Sequence, residues 1–365
     1  MEIGILTMNY ATNYGGILQV YALSQYLKSQ GHDVKYINYN NSGKSSIIAF
    51  LAKLESRILQ KKKKSSVFIP KQPLTKRYLQ NFIDFKENKL DYTQKVNEKT
   101  ISNLCKSYDA VIVGSDQIWN DVYRNKLIYY FDWKFNGRKI AYAACTNLQT
   151  APFIRKKQIS KLLSSFDTIT VRDRNTYNYV EKLKSLNPKQ VVDPSCLYDY
   201  KDLITENPIG RPYILTYILS CDIKGGNENA IRIIKQHIGY MPVVSVCIPS
   251  LSIASKSISD VFIDEASPAE WVNLFYHAAF VYTDSFHGVM FSMKFQKPFI
   301  AYMKEGGRMS RLQDLIMTYN LNNIVSEVAQ IRSLSFDNLV DYKEINPVLD
   351  NNITVSKKIL LEALK

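Results

Sequence analysis

Twice along the chain, short apolar and β-branched runs alternate with segments whose apolar residues recur at helical spacing. Alternation of this kind restricts a chain to parallel sheets with helices packed on their faces. The first series has strand patterns at residues 3–7, 33–40, 109–114, 139–144, 168–171 and 190–192; its opening helix carries Ile17, Leu18, Tyr21, Ala22 and Tyr26 and closes at Gly31. The second has strand patterns at 213–219, 243–247, 280–283 and 299–302, with helix patterns at 227–237, 268–277 and 286–295. Pro208, Gly210 and Pro212 mark a linker between the two series. The pattern predicts an α/β protein of two Rossmann-like, doubly wound domains facing a cleft. The N-terminal domain spans 1–200 with a basic, mostly helical insertion at about 41–100, the C-terminal domain spans 213–350, and a helix follows at 351–365. A chain of 365 residues is too long for one ordinary core, which agrees with two domains.

Lys and Arg exceed Asp and Glu by 47 to 33, a net charge of +14, which suits nucleic acid, an anionic membrane surface or acidic small substrates. No finger, RNP-type strand or basic recognition helix accompanies the charge, so nucleic acid is not an expected partner. Ile47, Leu51, Leu54 and Ile58 fall on one helical face just before Lys61-Lys62-Lys63-Lys64. Residues 46–64 therefore read either as a membrane-surface helix with a polybasic flank or as a helix packed on its own domain. The N-terminus enters a strand directly, with no signal-peptide pattern, and no long uncharged apolar run occurs. A cytoplasmic protein is expected, peripheral at the inner membrane face if that helix binds lipid. The five cysteines are widely spaced and lack metal-ligand spacing, so neither a metal nor a cofactor is expected.

Polar residues collect where the strand patterns end, the edge at which open α/β sheets bind ligands. In residues 279–292 an apolar run breaks into Thr283-Asp284-Ser285-Phe286-His287-Gly288 and then resumes with helical spacing. His287 is the leading catalytic candidate, the alternative being a histidine hydrogen-bonded within the core. Asn13, Gly15 and Gly16 follow the first strand, where glycines let backbone amides approach a substrate or simply form a tight turn. Ser115, Asp116, Gln117 and Trp119 follow the third strand and combine carboxylate, amide and aromatic groups suited to a sugar, or else cap a helix with Trp119 in the core. Arg172 ends one strand pattern, where its guanidinium can grip a carboxylate or phosphate, and Asp193 ends the next. Arg308 and Arg311 add two cations after residues 299–302.

Taken together and in order, these segments resemble the polysaccharide pyruvyl transferase family. The resemblance is carried by Asn13-Tyr14-Gly15-Gly16, Val113-Gly114-Ser115-Asp116-Gln117-Ile118-Trp119, Val171-Arg172-Asp173, Val192-Asp193-Pro194, Ser267-Pro268-Ala269-Glu270-Trp271, Thr283-Asp284-Ser285-Phe286-His287-Gly288 and Lys297-Pro298. It implies a GT-B-like fold with an acceptor-facing N-terminal domain and a donor-facing C-terminal one. It also implies transfer of pyruvate from phosphoenolpyruvate, as co-substrate, to two hydroxyls of a sugar in a capsule or exopolysaccharide intermediate, often a lipid-linked oligosaccharide. Some members carry Arg two residues before the His; Ser285 stands there in this chain, which shifts the expected grip on the donor to Arg172, Arg308 and Arg311.

That chemistry suits the residue types. Arginines and helix-start amides such as Ser285 and Gly288 would hold the donor's phosphate and carboxylate. His287 would protonate its C3, with Asp116 or Asp193 as base or sugar-positioning group. Asn13, Gly15, Gly16, Ser115, Gln117 and Trp119 would face the acceptor. The alternatives are a GT-B glycosyltransferase using a nucleotide-sugar donor, with Glu265 or Glu270 as ribose-binding carboxylate, and a non-catalytic glycan-binding relative.

Overall fold

Buried β-branched residues build the centre of each half. The computed structural model describes residues 1–8, 12–40, 51–53, 55, 73–122, 126–184, 187–219, 222–251, 253–303 and 309–365. Six parallel strands, β1 (Glu2–Leu6), β2 (Asp33–Tyr36), β3 (Ala110–Val113), β4 (Arg138–Ala144), β5 (Thr168–Val171) and β6 (Lys189–Gln190), pair in the order β2-β1-β3-β4-β5-β6. Six more, β7 (Ile214–Tyr217), β8 (Val243–Val246), β9 (Val261–Ile263), β10 (Phe280–Thr283), β11 (Phe299–Tyr302) and β12 (Ile324–Val325), pair as β12-β11-β10-β7-β8-β9. The longer helices are α1 (Tyr14–Ser29), α2 (Lys76–Lys89), α3 (Phe153–Leu163), α4 (Arg174–Lys184), α5 (Asn227–Ile238), α6 (Pro268–His277), α7 (Phe286–Lys294), α8 (Met309–Tyr319) and α9 (Tyr342–Ala363).

Both sheets carry apolar residues on two faces, as parallel sheets must. In the first, Ile3, Ile5 and Ile112 meet α1, while Leu6, Val111 and Val113 meet the side of α3 and α4. In the second, Ile214, Tyr282 and Ile300 cover α5, while Leu215, Val244 and Val281 meet α6 and α7. The α1 face of one sheet and the α6 and α7 face of the other belong to a single apolar core. The expected pair of domains is therefore joined by packing as well as by a linker.

α1 is the hinge of that packing, apolar nearly all round and buried over most of its length. The Tyr14 hydroxyl donates to the Ala266 carbonyl at 2.9 Å, and its ring stacks on Trp271 with centroids 5.6 Å apart. From α2, Tyr78 donates to the Thr12 carbonyl and Asn81 to the Glu265 carbonyl, so the helix of the insertion also bridges the halves. At the far end, α9 returns to the first sheet, where the Ser356 hydroxyl accepts from the Val192 amide at 3.0 Å.

Several boundaries differ from expectation. β9 and β12 were not legible, because a three-residue half-buried edge strand and a two-residue strand carry too little pattern to register. Residues 299–302 are consequently not the last strand. The second strand stops at Tyr36 instead of 40, and β6 lies at Lys189–Gln190 instead of 190–192. α9 runs without interruption through the expected boundary at 350. Ile47, Leu54, Ile58 and Lys61 to Lys64 lie outside the described residues, as does Cys221; Cys105, Cys145, Cys196 and Cys247 are buried free thiols. No helix among the described residues is long and apolar enough to cross a membrane.

Tyr14→Ala is expected to destabilise the protein by about 3–5 kcal/mol through loss of the aromatic stack. Tyr14→Phe, which strips only the hydrogen bond, should cost about 1–2 kcal/mol. Urea denaturation of both variants measures the difference, and equal, small losses would show that the domains do not depend on this contact.

Candidate active site

In each sheet the strand order reverses once, between β1 and β3 in the first and between β7 and β10 in the second. Strand carboxyl ends diverge at such a reversal and leave a crevice. The two crevices meet. Between them lies a cavity of about 160 Å3 lined by Asn13, Asp116 and Gln117 from the first half and Leu219, Ser285, Phe286, His287 and Arg311 from the second.

His287 is placed by two close approaches that only glycine permits. A Cβ on Gly288 would lie 2.3 Å from Thr283 Oγ1, so its absence lets the first turn of α7 sit down on β10. Thr283 Oγ1 in turn accepts from the Ser285 amide at 3.1 Å and donates to the Tyr217 carbonyl. Across the domain boundary, a Cβ on Gly15 would lie 2.0 Å from His287 Nδ1. The imidazole thus rests on the backbone of α1's first turn, which Asn13 caps by accepting from the Gly16 amide at 3.0 Å. On its other side, His287 Nε2 is 3.8 Å from Asp193 Oδ2.

Beneath the histidine runs a buried chain of charges. Arg172, at the end of β5, donates from one terminal nitrogen to Asp193 and from the other to Asp116 at 2.8 Å. Arg311 approaches Asp116 to 3.8 Å, and the guanidiniums of Arg172 and Arg311 lie 4.7 and 5.5 Å from the centre of the Phe286 ring. Asp116 adopts a left-handed backbone with φ of 68°, which aspartate tolerates better than most residues. Burial alone would push its carboxyl up, but Arg172, Arg311 and His287 outweigh this and hold it at about 2. Asp193 is likewise buried, and Arg172, His287 and the Ser195 amide keep it below the ordinary range. Burial depresses His287 despite the pull of Asp193 and Asp116, so its resting state near neutral pH is the uncharged imidazole.

The polysaccharide pyruvyl transferase family model matches residues 13–303. The chain belongs to the polysaccharide pyruvyl transferase family. The match begins at the cap of α1 and ends just past β11, so every residue of the cavity except Arg311 lies within it. Membership supports a transferase acting in polysaccharide pyruvylation. No curated protein matches the chain. Among solved structures, the chain resembles a UDP-N-acetylglucosamine 2-epimerase from Rickettsia bellii at 14% identity and TM-score 0.52, covering 100% of this chain and 97% of that one. It also resembles the UDP-GlcNAc 2-epimerase from Neisseria meningitidis bound to UDP-GlcNAc (14%, 0.50, covering 100% and 99%). HepE from Anabaena in complex with UDP and glucose is a further match (8%, 0.50, covering 99% and 96%). At these identities the likeness is of fold, and it bears out the GT-B-like architecture.

In this pyruvyl transferase family member, Asn13, Gly15, Asp116, Gln117, Arg172, Asp193, Ser285, His287, Gly288 and Arg311 gather around one site. Three expectations need correction. Trp119 offers no face to a sugar: it is fully buried, donates from Nε1 to the Tyr129 carbonyl and stacks on Tyr130. Ser115 is also buried, its hydroxyl donating to the Ala143 carbonyl and its amide to Gln19 Oε1. Arg172 is not poised to grip a donor, because both its terminal nitrogens already hold carboxylates. Gly16 acts through its capped amide, and Arg308 lies outside the described residues. Phe286 was not singled out, although an aromatic immediately before the candidate histidine at a helix start was a signal for it. Among the described residues, no group of His, Cys, Asp or Glu is arranged to hold a metal.

Gly15→Ala is expected to push His287 out of place and lower turnover at least tenfold while the far-ultraviolet circular dichroism stays unchanged; wild-type turnover would refute the contact. Because the Asp116 carboxyl falls from 3.8 to about 2 on folding, its contribution to stability is complete above pH 4 and disappears as pH falls through about 2. Urea midpoints between pH 5 and 2 should show this loss in the wild type and a shallower slope in Asp116→Asn.

Proposed function

We propose that this protein transfers pyruvate from phosphoenolpyruvate to two hydroxyls of one sugar in a lipid-linked surface-polysaccharide precursor, forming a cyclic ketal and releasing phosphate. The observation that carries the proposal is a buried histidine and an arginine sharing one small cavity where the two domains' crevices meet. The cavity, about 160 Å3, is lined mainly by polar and charged side chains, which suits a compact anionic donor.

Arg311, on the cavity wall and 3.8 Å from Asp116, supplies a cation for the donor, and the first-turn amides of α7 add partial positive charge at the same wall. The trianionic donor raises the proton affinity of the neutral His287 and converts it to the acid that protonates C3. C2 gains cationic character, the first sugar hydroxyl adds there, and its proton returns to His287. The bond from C2 to the phosphate oxygen then breaks, the electron pair and the His287 proton leaving with phosphate. The second hydroxyl closes the ketal and gives its proton back to the imidazole. The proton taken up on donor binding ends on C3, the first hydroxyl proton leaves with phosphate, and the second stays on the imidazole until product release returns it to solvent and restores the neutral histidine. Asp116, anionic and lining the cavity, accepts a hydrogen bond from the sugar and positions it; its low pKa makes it a weak base. Asp193, buried against Arg172, holds the imidazolium form electrostatically. The solved GT-B relatives bound to UDP-GlcNAc, or to UDP and glucose, motivate the second reading, a nucleotide-sugar transferase.

Thermal-shift titration separates the two. Phosphoenolpyruvate should raise the melting temperature, with a stabilisation of about 2.7 kcal/mol at a hundred times Kd, and UDP or UDP-sugars should not. Arg311→Ala should abolish the shift. Stabilisation by UDP alone would replace the proposal with the nucleotide-sugar reading. Calorimetry in buffers of different ionisation enthalpy should also show less proton uptake on phosphoenolpyruvate binding in His287→Gln than in the wild type; equal uptake would remove His287 as the acid.

A further inference from the structure

Phe153 and Ile154 open α3 with their side chains in solvent, 86% and 41% exposed, although each is large and apolar. The rest of that exposed face is cationic. Lys156, Lys157 and Lys161 follow at helical spacing and are all exposed, while Ile159 and Leu163 turn inward to the core. The Phe153 amide donates to Glu55 Oε1 at 2.8 Å, which brings the segment carrying the exposed Leu51 against this helix start. An apolar tip beside a run of lysines is the pattern of a surface that settles into the boundary between lipid headgroups and acyl chains.

Position within the fold supports the same partner. The sheet is parallel, so the segments leaving β3, β4 and β5 emerge at one edge. Asp116 and Arg172 follow β3 and β5, and the segment leading to Phe153 follows β4, between them in the sheet. A hydrogen bond of 3.2 Å from Gln117 Nε2 to Asn147 Oδ1 joins the cavity wall to that segment. The apolar tip therefore lies on the edge of the sheet that carries the site.

We infer that Phe153 and Ile154, with Lys156, Lys157 and Lys161, form a docking surface for an anionic membrane, seating the rim of the cleft at the lipid surface. The inference rests on the proposed function only for its purpose, delivery of a lipid-linked acceptor; its physics is independent. It uses residues other than the 46–64 segment that the sequence singles out.

Flotation with vesicles of phosphatidylcholine alone, or of phosphatidylcholine with phosphatidylglycerol, tests it in the full chain. Wild type should float with the anionic vesicles, weakening as salt rises, and hardly at all with neutral ones. Each lysine near an anionic surface changes partitioning by about fivefold, so Lys156→Glu with Lys157→Glu and Lys161→Glu should lower it by about a hundredfold or more. Phe153→Ser with Ile154→Ser should also release the protein. A Phe153→Trp reporter should shift its emission to the blue on anionic vesicles and be quenched by brominated lipid. All these positions are exposed, and the thermal shift with phosphoenolpyruvate should be the same in every variant, so loss of flotation reads separately from failure at the catalytic site. Absence of wild-type flotation, equal flotation with neutral vesicles, or retained flotation in the charge-reversed variant would overturn the inference.

Discussion

The buried link from Asp116 through Arg172 to Asp193 is the interaction on which the site depends. It ties together the chain segments leaving β3, β5 and β6, strands that only the tertiary fold brings into one sheet. One guanidinium with two fixed terminal donors can hold two carboxylates in one plane, which a lysine cannot reproduce. Removing any one member leaves a charge in a medium that cannot solvate it, a larger cost than the link's net contribution to folding. The link therefore matters more for defining one geometry than for stability. It also leaves Asp193 facing His287, so the first half of the chain sets the electrostatic surroundings of a residue from the second.

The same interdependence governs packing. A shared apolar core runs from the α1 face of one sheet to the α6 and α7 face of the other, with Tyr14 and Trp271 stacked near its centre. Gly15 follows Tyr14 directly, and its missing Cβ is the space that the imidazole occupies. The contact that holds the halves together and the contact that orients the catalytic candidate are thus consecutive residues of one helical turn. Any motion that parts the domains would also unseat His287, which makes domain docking a condition of a competent site.

Much of this was legible in the chain. Strand patterns with abrupt polar ends locate the crevices, because in a parallel sheet every strand end that carries polar residues points to one edge. Hence Asn13, Asp116, Arg172, Asp193, Ser285 and His287 could be singled out one at a time. Their partners could not be, since pairing depends on strand order, and strand order is not written in local pattern. Trp119 and Ser115 show the limit. Both stand in a polar segment beside a functional carboxylate, yet each turns away, one to stack on Tyr130 and the other to satisfy a carbonyl of β4.

What the sequence by itself determined is the architecture and the family, because periodicity, turn residues and ordered motifs are local properties that survive without coordinates. What only the tertiary structure decided is the division of labour among the charges. Arg172 and Arg311 are equivalent as letters, but one lies between two carboxylates while the other lines the cavity. The physical reason is that a charge's role is set by the distances and burial around it, and these arise only when strands far apart in the chain are brought to the same edge.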